Sequence, residues 1–136
     1  MNRTVLVTGS SRGIGRAIAK AFAKQGDRVV INYIEQKEAA EQVKEEIVRD
    51  GGRAIVVQCD VSDEQQVKKM ITTIEHEFSP VEVLVNNAGI AEMALFTDIE
   101  TSTWERMFDV NVKGMYLCCK YVLPGMISRK KGKIVN

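Results

Sequence analysis

The residues with the clearest chemical potential lie in Thr8-Gly9-Ser10-Ser11-Arg12-Gly13-Ile14-Gly15, directly after the first apolar run of the chain. That run, residues 4–8, is short and β-branched, the composition of a strand buried on both faces. Beyond Gly13 the chain carries apolar positions at helical spacing. A strand, a glycine-rich turn and a helix in this order make an anion site. Gly9 permits the tight turn, Gly13 lets the backbone approach a pyrophosphate, and Gly15 allows helix and strand to pack closely. The first N–H groups of the helix face the anion. The chemistry this supports is dinucleotide binding through Gly9, Ser10, Ser11, Arg12, Gly13, Ile14 and Gly15. Turn chemistry alone is the other reading of the same residues, since glycine is the default at any sharp strand-to-helix connection.

Three further segments stand at or beside strand ends: Asp60-Val61, Asn86-Asn87-Ala88-Gly89 and Asn111. Open α/β sheets bind ligands beyond the carboxyl ends of their strands, at the point where strand order reverses. Asn86 and Asn87 also suit a brace for a strand-to-loop transition. Asn111 is polar on a helix whose neighbours at its spacing are apolar, which calls for a function or for a kink to be braced near Gly114.

The elements that must position these residues follow from apolar periodicity and breakers. Ile14, Ala17, Ile18, Ala21 and Phe22 form the stripe expected on the first helix, with Gly26 as its stop. A second strand spans 28–33 and a second helix 36–49, with Ala40, Val43 and Ile47 inward and Gly51-Gly52 at its end. A third strand spans 54–58. Ser62-Asp63-Glu64-Gln65 reads as a capping box opening a helix with Val67, Met70, Ile71, Ile74 and Phe78 on its apolar side. Pro80 ends that helix ahead of a fourth strand at 81–85. A second capping box, Ser102 to Glu105, opens a long helix to about Arg129. Phe108, Val112, Met115, Cys119 and Val122 are expected on its buried face, interrupted at Gly114 and Pro124. A fifth strand begins at Lys133. Strands alternating with helices predict an α/β fold over residues 1–136, a Rossmann-type doubly wound parallel sheet covered on both faces.

The spacing T-G-x-x-x-G-x-G differs from the G-x-G-x-x-G of other dinucleotide-binding proteins and resembles the short-chain dehydrogenase/reductase family. N-N-A-G at 86–89, Asp60-Val61 and Asn111 agree with that family in order along nearly the whole chain. Within it, S-S-R-G-I-G-R-A-I-A, V-V-I-N-Y, L-V-N-N-A-G-I and N-V-K-G-M resemble the 3-oxoacyl-[acyl-carrier-protein] reductases. The resemblance implies that Asp60 and Val61 border an adenine, and that Asn87, Ala88 and Gly89 lie against ribose and nicotinamide. It also implies that Asn111 disturbs its helix and holds a water in a proton relay. NAD-preferring members place an acid at the end of the second strand, where this sequence has Asn32-Tyr33. With no carboxylate there, and Arg12 available for a charge-assisted contact with a 2′-phosphate, NADP(H) is preferred; Glu35 nearby keeps NAD(H) open, and an exposed Arg12 without a ligand is the plainer alternative.

The implied reaction is hydride transfer from NADPH to the 3-oxo group of an acyl thioester, with acyl carrier protein as a partner. Acetoacetyl-CoA, sugar and steroid reductases share these motifs, and a non-catalytic nucleotide-binding regulatory module is a rival from another class. In the family a serine on the fifth strand and a Tyr-x-x-x-Lys pair on the next helix complete the chemistry. None of Tyr33, Tyr116 and Tyr121 is read as that tyrosine, so the natural polypeptide is expected to be longer, and the long helix to pack in a homotetramer.

Lys and Arg total 19 against 18 Asp and Glu, and this net charge of +1 supplies no field for nucleic acid or an anionic membrane. No apolar stretch is long enough to span a membrane and no signal peptide precedes the first strand, so a cytoplasmic protein is expected. Cys59, Cys118 and Cys119 suit reduced, mostly buried thiols, and His76 stands among glutamates on a solvated helix with no second metal ligand at helical spacing.

Overall fold

Strands without polar alternation have two apolar faces to cover, and the arrangement of the chain follows from that need. The computed structural model describes residues 2–136. Among them β1 (Thr4–Val7), β2 (Arg28–Tyr33), β3 (Arg53–Gln58), β4 (Val83–Val85) and β5 (Lys133–Val135) form one parallel sheet ordered β3-β2-β1-β4-β5. The helices are α1 (Gly13–Lys24), α2 (Lys37–Arg49), α3 (Glu64–Glu77), α4 (Thr101–Phe108) and α5 (Gly114–Arg129). A 3₁₀ turn at Phe96–Asp98 precedes α4, and a π turn at Asp109–Lys113 joins α4 to α5. Strand pleating divides the core. Val5 and Val7 of β1 face α1 and α2 with Val29, Ile31, Val43 and Ile47, while Leu6 faces α3 and α5 with Val30, Met70, Ile74 and Leu117.

Three ion pairs tie neighbouring elements on the first of these faces. Arg3 grips the buried Asp27 carboxylate at the entry to β2, with Nε to Oδ1 at 3.0 Å and Nη2 to Oδ2 at 2.6 Å. On α2, Glu46 accepts from Arg16 Nη2 at 2.6 and 2.7 Å and from Lys20 Nζ at 2.8 Å, clamping α1 to α2.

Several local expectations are corrected. The buried line of α1 is Gly15, Ala19 and Ala23; Ile18 and Phe22 pack at its margin, and Ile14, Ala17 and Ala21 are exposed. Small residues form the contact because α1 starts hard against the sheet end, where a Cβ on Gly15 would stand 2.5 Å from the Gly9 carbonyl oxygen. The expected box at α3 is replaced by a one-sided cap: Asp63 accepts from Gln66 N at 3.1 Å, Ser62 is engaged by Asp60, and Asp63 N donates to Asp60 O. α4 begins after Glu100 with no side-chain cap, so Ser102 and Glu105 form no box.

The long helix is broken by its π turn, which inserts a residue and rotates α5 relative to α4. Its buried residues are Val110, Gly114, Leu117, Cys118, Val122 and Met126. Of the expected face only Val122 is buried; Phe108 and Val112 are exposed, and Met115 and Cys119 half-buried. Pro124 does not interrupt α5 but stands on its exposed side, where solvent can satisfy the carbonyl left without a donor.

Leu6→Ala, in the central strand, is expected to cost about 2–5 kcal/mol by urea unfolding, whereas Ala21→Ser stays within about 0.5 kcal/mol; equal costs would contradict the observed helix face. Arg16 first, then Lys20, holds the Glu46 carboxyl at about 2, below its ordinary 4.5. The clamp is therefore complete above pH 4.5 and weakens as pH falls toward 2. Glu46→Gln should flatten the stability curve in that acid window and leave its shape near neutrality unchanged, which acid titrations of the melting temperature will check.

Candidate functional site

Where β1 and β4 lie side by side their chains depart toward opposite faces of the sheet, and a crevice opens at the carboxyl ends of the strands. Departing strands leave main-chain groups without ladder partners, and four side chains take them up. Thr8 Oγ1 accepts from Asn87 N at 3.0 Å and Ala88 N at 2.9 Å. Asn87 Nδ2 donates to the Thr8 and Gly9 carbonyls, both at 3.0 Å. Asn32 Oδ1 accepts from Gly9 N at 3.0 Å, and its Nδ2 donates to Cys59 O at 3.1 Å. Ser10 Oγ donates to Val7 O at 2.7 Å and accepts from Asn32 N at 3.1 Å. Asn87 is thus the brace that its position suggested.

Above this buckle lies a cleft of about 350 Å³. Gly9, Ser11, Arg12, Gly13 and Ile14 line one side; Asn32, Asp60 and Val61 line the ends of β2 and β3; Asn87, Ala88 and Gly89 line the β4 side. Ser10 and Gly15 lie behind the wall, and the Asn32 amide is spent on main-chain groups. Tyr33, Glu35 and Gln36 complete the β2 rim.

The glycine turn fits a dinucleotide. Gly13 has φ +56° and nothing within 4 Å of where a Cβ would stand, so its backbone is open to a ligand. Gly9, at φ +61°, has no such room: a Cβ there would meet Ala88 Cα at 2.9 Å. α1 starts without a side-chain cap and without an acid in its first turn, which leaves its N–H groups for an anion. Among the described residues no hydrogen bond or ion pair engages the Arg12 side chain.

Asn111 does not line the cleft but acts one layer behind it. Its Oδ1 accepts from Ile90 N and its Nδ2 donates to Ile90 O, both at 2.8 Å, which fastens the π turn to the loop after β4. Sequence reasoning missed Ile90 and Arg106, both at the cleft. Arg106 Nη1 lies 3.1 Å from Asp60 Oδ2 and donates to Ser62 Oγ at 2.8 Å. Burial raises the Asp60 carboxyl, but two hydrogen bonds from Ser62 and the Arg106 charge outweigh it and hold the group below its usual range.

Burial pushes the Cys59 and Cys118 thiols up to about 12, which keeps both protonated and poor nucleophiles. The spacing Tyr-x-x-x-Lys occurs twice, at Tyr33-Lys37 and Tyr116-Lys120, but neither makes a proton-donating pair at the cleft. Lys37 begins α2 across a turn from the strand that carries Tyr33. Tyr116 is exposed on α5, and Lys120 gives its ammonium to Glu64 at 2.7 Å. His76 is exposed beside Glu77.

Replacing Asn111 by Ala removes both bonds to Ile90. Hydrogen exchange at the Ile90 amide should then accelerate about tenfold, the equivalent of one lost hydrogen bond, while β1 amides keep their protection; an unchanged Ile90 rate would deny Asn111 this role.

A family model described as short chain dehydrogenase matches residues 3–136. The 3-oxoacyl-[acyl-carrier-protein] reductase of Synechocystis sp. is 42% identical over 134 residues, 98% of this chain and 54% of that protein. A protein of the same name from Staphylococcus epidermidis is 41% identical over 136 residues, 100% of this chain and 56% of its own length. The chain thus spans about half the length of the curated relatives it matches. Among solved structures, a metagenomic short-chain oxidoreductase in complex with NADP superposes with a TM-score of 0.91 at 34% identity, covering 97% of this chain and 59% of the other. No helix among the described residues is long and apolar enough to cross a membrane. With the glycine turn, the strand order and the family match in agreement, the chain belongs to the short-chain dehydrogenase family.

Proposed function

We propose that this chain forms the NADP(H)-binding part of a carbonyl reductase acting on the 3-oxo group of an acyl thioester. The observation that carries the cofactor choice is the rim of the cleft. Tyr33 ends β2 where NAD-preferring members carry an acid, and Arg12 faces the same cleft with no protein partner among the described residues. An arginine fork suits a 2′-phosphate, and Glu35 is the carboxylate on the β2 rim that would oppose it. The NADP-bound structural relative and the reductases named for 3-oxoacyl substrates support the same reading.

When bound, the nicotinamide supplies hydride to the carbonyl carbon. The chain's own contribution is to bind and orient. The N–H groups that open α1 hold the pyrophosphate, Asp60 and Val61 border the adenine, and Asn87 to Gly89 lie against the ribose and nicotinamide. Asn111, one layer behind the cleft, keeps the loop after β4 in place through its grip on Ile90, and the π turn that carries it is where a relay water would be held. The family resemblance assigns the proton for the carbonyl oxygen to a Tyr-x-x-x-Lys pair and the orientation of the substrate to a serine; neither Tyr33-Lys37 nor Tyr116-Lys120 forms such a pair at the cleft. The same reading places the protein in the cytoplasm, in fatty acid biosynthesis with acyl carrier protein as partner. It also makes the protein a homotetramer that covers the exposed stripe Trp104, Phe108, Val112 and Tyr116.

Acetoacetyl thioesters and NADPH with the intact protein test this. Arg12→Ala should raise KM for NADPH about tenfold, the loss of one charge-assisted contact, and leave KM for NADH nearly unchanged. An equal effect on both cofactors would overturn the phosphate role. NADPH binding with no turnover of any 3-oxoacyl thioester would leave a binding module or a reductase for another carbonyl.

A further inference from the structure

We propose that the amino-terminal end of the sheet carries a second anion site, in which Arg28, Arg53 and the Ser79 hydroxyl receive a phosphate-type oxyanion. It lies at the opposite end of the strands from the cleft and is independent of the NADP(H) reading.

Arg28 opens β2 and Arg53 opens β3, and the two are register partners in the parallel sheet. They share the side that faces α3 and α5, since Val30 and Ile55, two residues further along each strand, pack in that core. Both guanidiniums reach Phe78 at the end of α3, with Cζ 5.8 and 5.9 Å from the ring centroid. A ring face attracts a cation through its quadrupole but carries no net charge, so Phe78 gathers two like charges without neutralising either. Among the described residues neither arginine forms an ion pair. Acids close by in the chain turn elsewhere: Asp27 to Arg3, Glu77 to His76 and Glu82 to Lys131.

Arg3 illustrates how an arginine edge is filled at this end of the sheet, with Nε and Nη2 each meeting one oxygen of the Asp27 carboxylate. The same edge of Arg28 has Ser79 Oγ on Nη2 at 2.8 Å and nothing on Nε. That Nε is the one buried side-chain nitrogen or oxygen among the described residues without a hydrogen-bond partner. A buried donor left unpaired is costly, so an oxyanion that draws this half-buried edge outward relieves the cost. Arg53 is exposed beside it and has no hydrogen bond among the described residues. Ser79 adds a third donor. Its oxygen accepts from Arg28 and lies 2.7 Å from the buried Thr4 Oγ1; with Thr4 as donor there, the Ser79 proton is left for a ligand. Two guanidiniums and a hydroxyl, delivered by β2, β3 and the loop after α3, suit a tetrahedral phosphate, which offers more acceptor oxygens than a carboxylate.

The test uses inorganic phosphate with the intact protein, its affinity read by equilibrium dialysis and its effect by the melting temperature, against sodium chloride and sodium acetate at matched ionic strength. At a phosphate concentration about tenfold above Kd the melting temperature should rise by about 4 °C. Arg53→Met, at an exposed position, should weaken phosphate binding about tenfold, the loss of one charge-assisted contact. Arg53→Lys keeps the charge without the fork and should recover part of the affinity, and Ser79→Ala should weaken binding about threefold. An unchanged affinity in Arg53→Met overturns the proposal, as does a rise of equal size in chloride or acetate. Phosphate binding that ignores Arg53→Met and is displaced by NADPH belongs to the cleft; it overturns this site and leaves the NADP(H) reading standing.

Discussion

The buried hydrogen-bond buckle across the ends of β1, β2 and β4 is the constraint on which the rest of the site depends. A doubly wound sheet must open where its strand order reverses, and the opening strips partners from main-chain groups that water cannot reach. Thr8, Ser10, Asn32 and Asn87 satisfy those groups with bonds of about 3 Å. An unpaired buried polar group costs about 1–3 kcal/mol, so a strand-end network of this kind decides whether the cleft has one shape or several. The arrangement also explains why Asn32 and Ser10 shape the site without exposing a polar atom to it.

Small residues carry the same constraint into packing. Gly15, Ala19 and Ala23 face the sheet because the buckle draws the start of α1 close, and a larger residue at Gly15 would displace the Asn87 amide. Ile14 is then left exposed at the cleft rather than in the core. Binding surface and core are thus divided along a single helix by how near its first turn approaches β1.

The π turn at Asp109–Lys113 plays the corresponding part on the other face. It turns Asn111 toward the loop after β4, where the amide takes both main-chain groups of Ile90. The rotation also carries Phe108 and Val112 out of the core and onto an exposed aromatic and aliphatic stripe. π turns recur at functional sites because the same insertion that weakens the helix redirects a side chain.

The sequence alone determined the order of strands and helices, the bounds of β2 and the inward residues of α2 and α3, because periodicity and glycine or proline breakers are local signals. It also marked the glycine turn, Asp60-Val61, Asn87 to Gly89 and Asn111, since their residue types at those spacings have few other uses. Only the tertiary structure decided which face α1 buries, because that depends on how closely its first turn meets β1. It also decided where the last long helix breaks, since a π turn answers to packing against Ile90 and Val61 and leaves no periodic trace. Arg106 belongs to this second group: it meets Asp60 and Ser62 only because α4 crosses the loop after β3. Contacts between residues far apart in the chain depend on the path of the backbone between them, and no local spacing encodes that path.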